Sequence, residues 1–180
     1  LFSGPGRCII RDGLEEISGS CMEMINLKDQ FTKYFFIDKN PICINDLKRR
    51  VGEKTNVEYY NDDCNEIIKN IIELVSNDSL SLSIIDPDSL QFLFTSYEYL
   101  SRKRIDLIVN YPIGPIERAI SSVLVRKSNS SVLDRFHPGW RGIVSRHNWG
   151  NSKKENIENL IDDYVHKIEM LGYHSSPLMI

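Results

Sequence analysis

No run of apolar residues approaches the roughly 20 that a membrane-spanning helix needs, and no signal-peptide pattern is visible. The four cysteines, Cys8, Cys21, Cys43 and Cys64, are widely separated, and no pair has CxxC spacing. That argues against a zinc site, and a disulfide framework belongs to smaller secreted chains. The thiols are therefore expected to be small, buried or half-buried groups in a reducing cytosol. His137, His147 and His166 lack metal-ligand spacing, so no metal is expected; His166 should lie on a helix surface. Excess charge is also missing. The formal net charge of −3 excludes a globally basic nucleic-acid binder and leaves only local patches. One more thing is missing. The chain opens on Leu1-Phe2-Ser3-Gly4-Pro5-Gly6, and a first parallel strand should stand ahead of such a turn. Its body is not there, so the chain is expected to be a piece of a longer protein.

What is present is enough for one domain. The 180 residues, 41% of them hydrophobic, can bury a core, and a single domain spanning 1–180 is expected. Short apolar runs alternate with amphipathic stretches. Residues 31–38 (FTKYFFID), 57–62 (VEYYND), 80–86 (LSLSIID) and 105–110 (IDLIVN) read as strands. Residues 42–52, 65–75, 89–102 and 116–125 read as helices, with Gly52 as a stop signal. Repeated about every 25 residues, strand then helix is the pattern of βαβ units around a parallel sheet. The fold class predicted is α/β: a doubly wound, Rossmann-like, mostly parallel sheet with helices on both faces.

After Pro112 the pattern changes. Residues 126–131 are polar and are expected to be mobile. Residues 136–150 hold both Trp and two of the four His with little periodicity. Residues 154–171 carry apolar side chains at i, i+3, i+4 spacing and form a helix ended by Gly172. Residues 178–180 look like the start of another strand. The stretch 113–153 is a candidate substrate- or partner-binding insertion or lid.

In a doubly wound sheet the ligand sits outside the carboxyl ends of the strands. Those ends are polar throughout: Ser3-Gly4-Pro5-Gly6, Asp38, Asn61-Asp62-Asp63-Cys64, Asp86-Pro87-Asp88 and Asn110-Tyr111-Pro112. An acid at the end of the second strand accepts ribose hydroxyls, so Asp38 is a ribose candidate; the competing job is an N-cap for the next helix. Asp63 and Cys64 stand where an adenine edge would fall, unless Asp63 caps the helix beginning near Asn65. The first turn is SGPG and is followed by a polar insert, 7–18, before Gly19-Ser20 opens a helix. A pyrophosphate turn would run straight into its helix. This disfavours NAD and FAD and favours an adenosine ligand without phosphates.

Asp86-Pro87 and Asn110-Tyr111-Pro112 are the candidates for the chemistry. A side chain before Pro is held extended. Asp86 or Asn110 would orient or deprotonate a nucleophile, and Tyr111 would stack on a flat base; the plainer role is a strand-terminating turn. A second candidate is 135–149, where His137, Arg141, Arg146 and His147 interleave with Phe136, Trp140 and Trp149. Basic groups bind phosphates and aromatic faces stack bases, although an irregular lid anchored by its Trp residues has the same composition.

The strand-end order resembles class I S-adenosylmethionine-dependent methyltransferases. The strings LFSGPGR, GS before the first helix, FFID, LKRRV, NDDCNE, SIIDPDSL, RIDLIVNYP, LDRFHPGWR and LGYH resemble, more narrowly, the three-Cys-motif partner family, along nearly the whole chain. The cysteine triplet in that name belongs to the partner protein. The resemblance implies that Phe2, Ser3, Gly4, Pro5 and Gly6 line the methionine end of S-adenosylmethionine, Asp38 its ribose, and Asp63 or Cys64 its adenine. It places Asp86-Pro87 at the usual catalytic edge. There the chain departs from the NPPY or DPPY pattern of base amino-methyltransferases, and Asn110-Tyr111-Pro112 resembles that pattern one strand late. The function implied is N- or O-methylation, with nucleic acid as the substrate and a three-Cys-motif protein as a partner. The alternative is a non-catalytic module of the same fold that binds a partner protein or nucleic acid.

Overall fold

A computed structural model describes residues 1–10, 15–27, 31–126, 131–150 and 152–176. The chain divides into two compact units, Leu1–Ile67 and Ile68–Ile180. The architecture is α/β, and each unit contains a pair of parallel strands joined through a helix.

In the first unit, β1 (Arg7–Ile10) and β2 (Glu15–Ser18) form an antiparallel hairpin in the register Arg7↔Ser18 to Ile10↔Glu15. The polar insert of the sequence is thus a hairpin, and Arg7 and Arg50 both pair with Glu16 at its base (2.7 and 2.8 Å). Helix α1 (Ser20–Asn26) follows with Gly19 at its N-cap. Strands β3 (Tyr34–Ile37) and β4 (Val57–Tyr60) pair in parallel, Tyr34↔Val57 to Ile37↔Tyr60, around α2 (Pro41–Val51). The start of α2 is dictated locally: Pro41 supplies a helical φ, and the Asn40 side chain accepts the Ile42 amide (3.0 Å). Its end is Gly52 at φ +72°, with Lys48, Arg49 and Arg50 in the last turn, where cations suit the helix dipole. Ile44, Leu47 and Val51 share its buried face. Tyr34 and Phe36, alternate residues of β3, join Leu47, Val51, Val57 and Cys21 in one core. Full burial of a side chain such as Leu47 is worth about 1.5–3 kcal/mol. The first turn of α3 (Cys64–Leu74) closes the unit.

In the second unit, β5 (Ser81–Ile85) and β6 (Ile105–Val109) pair in parallel, Ser81↔Ile105 to Ile85↔Val109, around α4 (Phe94–Leu100). Then come α5 (Ile113–Arg126), α6 (Ser131–Phe136), a 3-10 turn (Trp140–Gly142), α7 (Arg146–Trp149) and α8 (Lys153–Glu169). Phe92, Tyr97, Phe136, Trp140, Leu133 and Leu160 are almost fully buried. Tyr164 of α8 stacks on Phe136 (centroids 5.3 Å apart) and meets Tyr97 edge-on (6.0 Å).

Several expectations change. The helix expected over 89–102 is shorter, because Leu93 is extended and Leu90 and Phe92 bury themselves ahead of the first turn. Residues 136–150, which lack periodicity, form short helical pieces. Leu1 and Phe2 lie in no strand; Ser3 N–H donates to the Ile37 carbonyl (2.9 Å) beside the end of β3. The described strands pair two by two rather than in one continuous sheet. Residues 127–130 and 178–180 lie outside the described residues. Among the described residues no helix is long and apolar enough to cross a membrane.

Candidate functional site

The turn of the first unit is tightly specified. Phe2, Gly4 and Gly6 all have positive φ (61°, 61° and 77°). For the two glycines this is inexpensive; for Phe2 it costs on the order of 1–3 kcal/mol, a strain that persists only where surroundings impose it. No sequence signal marks Phe2 in this way. Gly19 N–H donates to the Gly6 carbonyl (2.9 Å) and closes the hairpin base, while the Cys21 thiol donates to the Ser3 carbonyl (2.7 Å). The two glycines of the turn differ. A Cβ on Gly6 would stand 2.8 Å from Leu47 Cδ1 and 3.0 Å from Met22 Cγ, so Gly6 is a packing residue. A Cβ on Gly4 would meet nothing within 4 Å, so that face is open. The Ser3 hydroxyl is buried without a hydrogen-bond partner among the described residues.

Asp38 follows β3 and ties the turn to the strand ends. Its Oδ2 accepts the Gly4 amide and its Oδ1 the Asn40 amide, both at 2.8 Å. Asn40, not Asp38, caps α2. The Asn61 side chain donates to the Asp38 and Lys39 carbonyls (3.0 and 2.9 Å), a cross-link between the ends of β3 and β4 that the sequence did not single out. Asp63 caps α3: its Oδ1 accepts the Asn65 amide (3.0 Å), and Lys39 Nζ approaches its Oδ2 (3.3 Å). Burial raises the Asp63 pKa, but its bonds to Asn65 and Lys39 together outweigh this and hold it below the usual value. Cys64 is buried beside it, and burial pushes its thiol up to about 12; Cys21 is likewise raised, to about 11. Both are neutral thiols rather than nucleophiles. Gly4, Asp38 and Asp63 therefore belong to one connected edge, bridged by Lys39 and Asn61.

In the second unit the structure joins two of the candidates for chemistry. Asn110 N–H continues the ladder to the Ile85 carbonyl (2.9 Å), and its side-chain amide donates to Asp86 Oδ1 (2.7 Å). Because the carboxylate only accepts, Asn110 turns its nitrogen to Asp86 and leaves its own oxygen outward. Asp86 and Asn110 are exposed, and Pro87 is buried behind them. Tyr111 does not share this position. Its ring packs against Tyr164 (4.9 Å) and Phe136 (5.8 Å), and its hydroxyl bonds His137 Nδ1 (2.9 Å). The face expected to stack on a base is occupied by protein.

The aromatic side chains of 135–149 are anchors too. Phe136, Trp140 and Trp149 are buried, with Trp140 Nε1 donating to Asp134 Oδ1 (2.8 Å) and Trp149 Nε1 to Ser121 Oγ (3.1 Å). Arg141 lies over the Trp140 ring and pairs with Asp134. These rings anchor the segment and do not offer a stacking surface, since a ring sealed in the core has no free face. The side chains of Arg146 and His147 lie outside the described residues. His166 is exposed on α8. Among the described residues no His, Cys, Asp and Glu side chains group as metal ligands.

No family model matches the chain, and neither does any curated protein or solved structure.

Proposed function

We propose that the chain is an S-adenosylmethionine-dependent methyltransferase of the three-Cys-motif partner type, with a doubly wound, Rossmann-like fold. One observation carries the reading: the Gly4 amide is held on the Asp38 carboxylate at the carboxyl end of β3, beside an open glycine face and a strained Phe2. Backbone strain of this kind concentrates at ligand sites. The orphaned Ser3 hydroxyl supports the same reading, because a buried hydroxyl without a partner costs about 1–3 kcal/mol and a polar ligand atom would satisfy it. Phe2, Ser3, Gly4 and Pro5 would face the methionine end. Asp38, which keeps lone pairs beyond its two amide bonds, would take the ribose, and Asp63 with Cys64 the adenine.

Methyl transfer moves the sulfonium carbon to a nucleophile: the new bond to nitrogen or oxygen forms, the C–S electron pair returns to sulfur, and a proton leaves to a base. Alignment supplies most of the acceleration. Asp86 is the base or orienter in this reading. Asp86 Oδ2 and Asn110 Oδ1 are acceptors without a partner among the described residues, which suits a nucleophile that arrives with N–H or O–H, such as a nucleic-acid base. A second reading has its own support. Both Asp38 oxygens already hold backbone amides and Asp63 is spent on a cap, so the edge is also intelligible as structure alone, in a module that binds a partner. Titration calorimetry with S-adenosylmethionine and its homocysteine product separates the two. Binding is expected; none at millimolar ligand would leave the module.

A further inference from the structure

A chain of hydrogen-bonded polar side chains centred on the buried His137 starts at Tyr111, the neighbour of Asn110, and neither reading uses it. His137, fully buried, bonds the Tyr111 hydroxyl through Nδ1 (2.9 Å) and Asp163 Oδ2 through Nε2 (2.8 Å). Lys167, one turn along α8, also bonds Asp163 Oδ2. The chain spans three places: the β6–α5 turn, the residue after α6, and α8. The hydrogens can be assigned by elimination. The carboxylate only accepts, so Nε2 carries the proton; Nδ1 then accepts the Tyr111 O–H. All of these atoms are satisfied only when His137 is neutral.

We propose that His137 and Asp163 are positioning residues, which act through Tyr111 to hold the Asn110 carboxamide against Asp86. The path is short. Tyr111 follows Asn110 directly, and Pro112 restricts the backbone of Tyr111 in turn. With the Tyr111 ring gripped by Phe136 and Tyr164 and its hydroxyl fixed by His137, the turn has one orientation, and Asn110 delivers its nitrogen to Asp86 Oδ1. The groups around His137 are Tyr111 from the turn, Phe136 from α6, and Asp163, Tyr164 and Lys167 from α8; Asp163 and Lys167 are the charged ones. A proton on Nδ1 would face a donor. Tyr111 would have to turn its hydrogen among aromatic rings, so the hold weakens on acidification. Burial lowers the His137 pKa, with Asp163 only partly opposing. The functional meaning of the hold rests on the reading of Asp86 and Asn110 as the groups that meet the substrate.

The test is a pH titration of the whole chain by 15N-resolved NMR, with no ligand added, so it stands or falls apart from any methyl transfer. We expect the Nε2–H tautomer at neutral pH, titration below the ordinary 6.5, and Asn110 side-chain NH2 signals that shift with the same midpoint. Tyr111→Phe removes the stranded donor and should raise the midpoint. Asp163→Asn removes the favourable charge and should lower it. In Tyr111→Phe, exchange of the Asn110 side-chain amide should quicken about tenfold as the turn loosens. Asn110 signals that ignore the His137 titration, or Asn110 exchange unchanged in Tyr111→Phe, would overturn the proposal. The wild-type titration decides it even if a variant fails to fold.

Discussion

Replacing Asp38 by Ala strips the acceptor from two backbone amides at once, Gly4 N–H and Asn40 N–H, each 2.8 Å from a carboxylate oxygen. Hydrogen bonds to a charged group contribute about 1.5–3 kcal/mol when partly buried, as the Gly4 bond is, and the exposed Asn40 bond contributes less because water replaces the acceptor. The Asn61 cross-link to the Asp38 carbonyl is untouched, since it uses backbone oxygen. The sum is about 2–4 kcal/mol, which for a chain of this length lowers Tm by about 5–15 °C. Asp38→Asn should cost about half as much, because one amide keeps an oxygen and the other faces an NH2. Urea unfolding followed by circular dichroism gives the stability, and calorimetry with S-adenosylmethionine gives the affinity. The affinity of Asp38→Ala should fall at least about tenfold, because the turn loses its tether as well as its ribose acceptor. A variant within about 0.5 kcal/mol of wild type with unchanged affinity would refute the claim that this carboxylate organises the turn.

Glycines give a second test. A Cβ on Gly19 would lie 2.9 Å from the Gly6 carbonyl carbon and 3.0 Å from Arg7 N, backbone that has no rotamer to escape into. Gly19→Ala should therefore cost about 1–3 kcal/mol, whereas Gly142→Ala, with open space and no positive φ, should stay within about 0.5 kcal/mol; denaturant midpoints compare them. Acid gives a third. The His137 pKa is lowered on folding by burial, so just below 6.5 the unfolded chain binds more protons than the folded one, and stability falls as pH drops through that window. Asp163 is raised by burial but held below 3.8 overall by Lys167 and His137, so its contribution is intact above 3.8 and lost as pH falls below it. Unfolding titrations at about pH 7.5 and about pH 5.5 should show the His137 loss, and His137→Gln, less stable at neutral pH, should flatten it.

Much of the secondary structure was legible because periodicity is a local property. The stripe Ile44, Leu47, Val51 and the stop at Gly52 lie within a few residues of one another, and α2 ends where they say. The helix at 154–171 and the strands at 34–37, 57–60, 81–85 and 105–109 follow from the same local rule. The hairpin was not legible, because β1 and β2 are four residues each and largely exposed, with no apolar alternation that a core demands. Nor was the fate of the Trp residues, since one amphipathic composition serves an anchor and a stacking surface equally well.

The types of group at the strand ends were thus determined by sequence alone: an acid after β3, an acid and Pro after β5, Asn-Tyr-Pro after β6. Their partners were decided only by folding. Gly4 and Asp38 meet across 34 residues, Asp86 and Asn110 across 24, and Tyr111 and His137 across 26. Such contacts depend on which helix buries which face, and that choice is made by the packing of the whole unit against water. The same packing turned Tyr111 inward, forced Phe2 to positive φ and left Gly4 facing open space, none of which a neighbouring residue encodes.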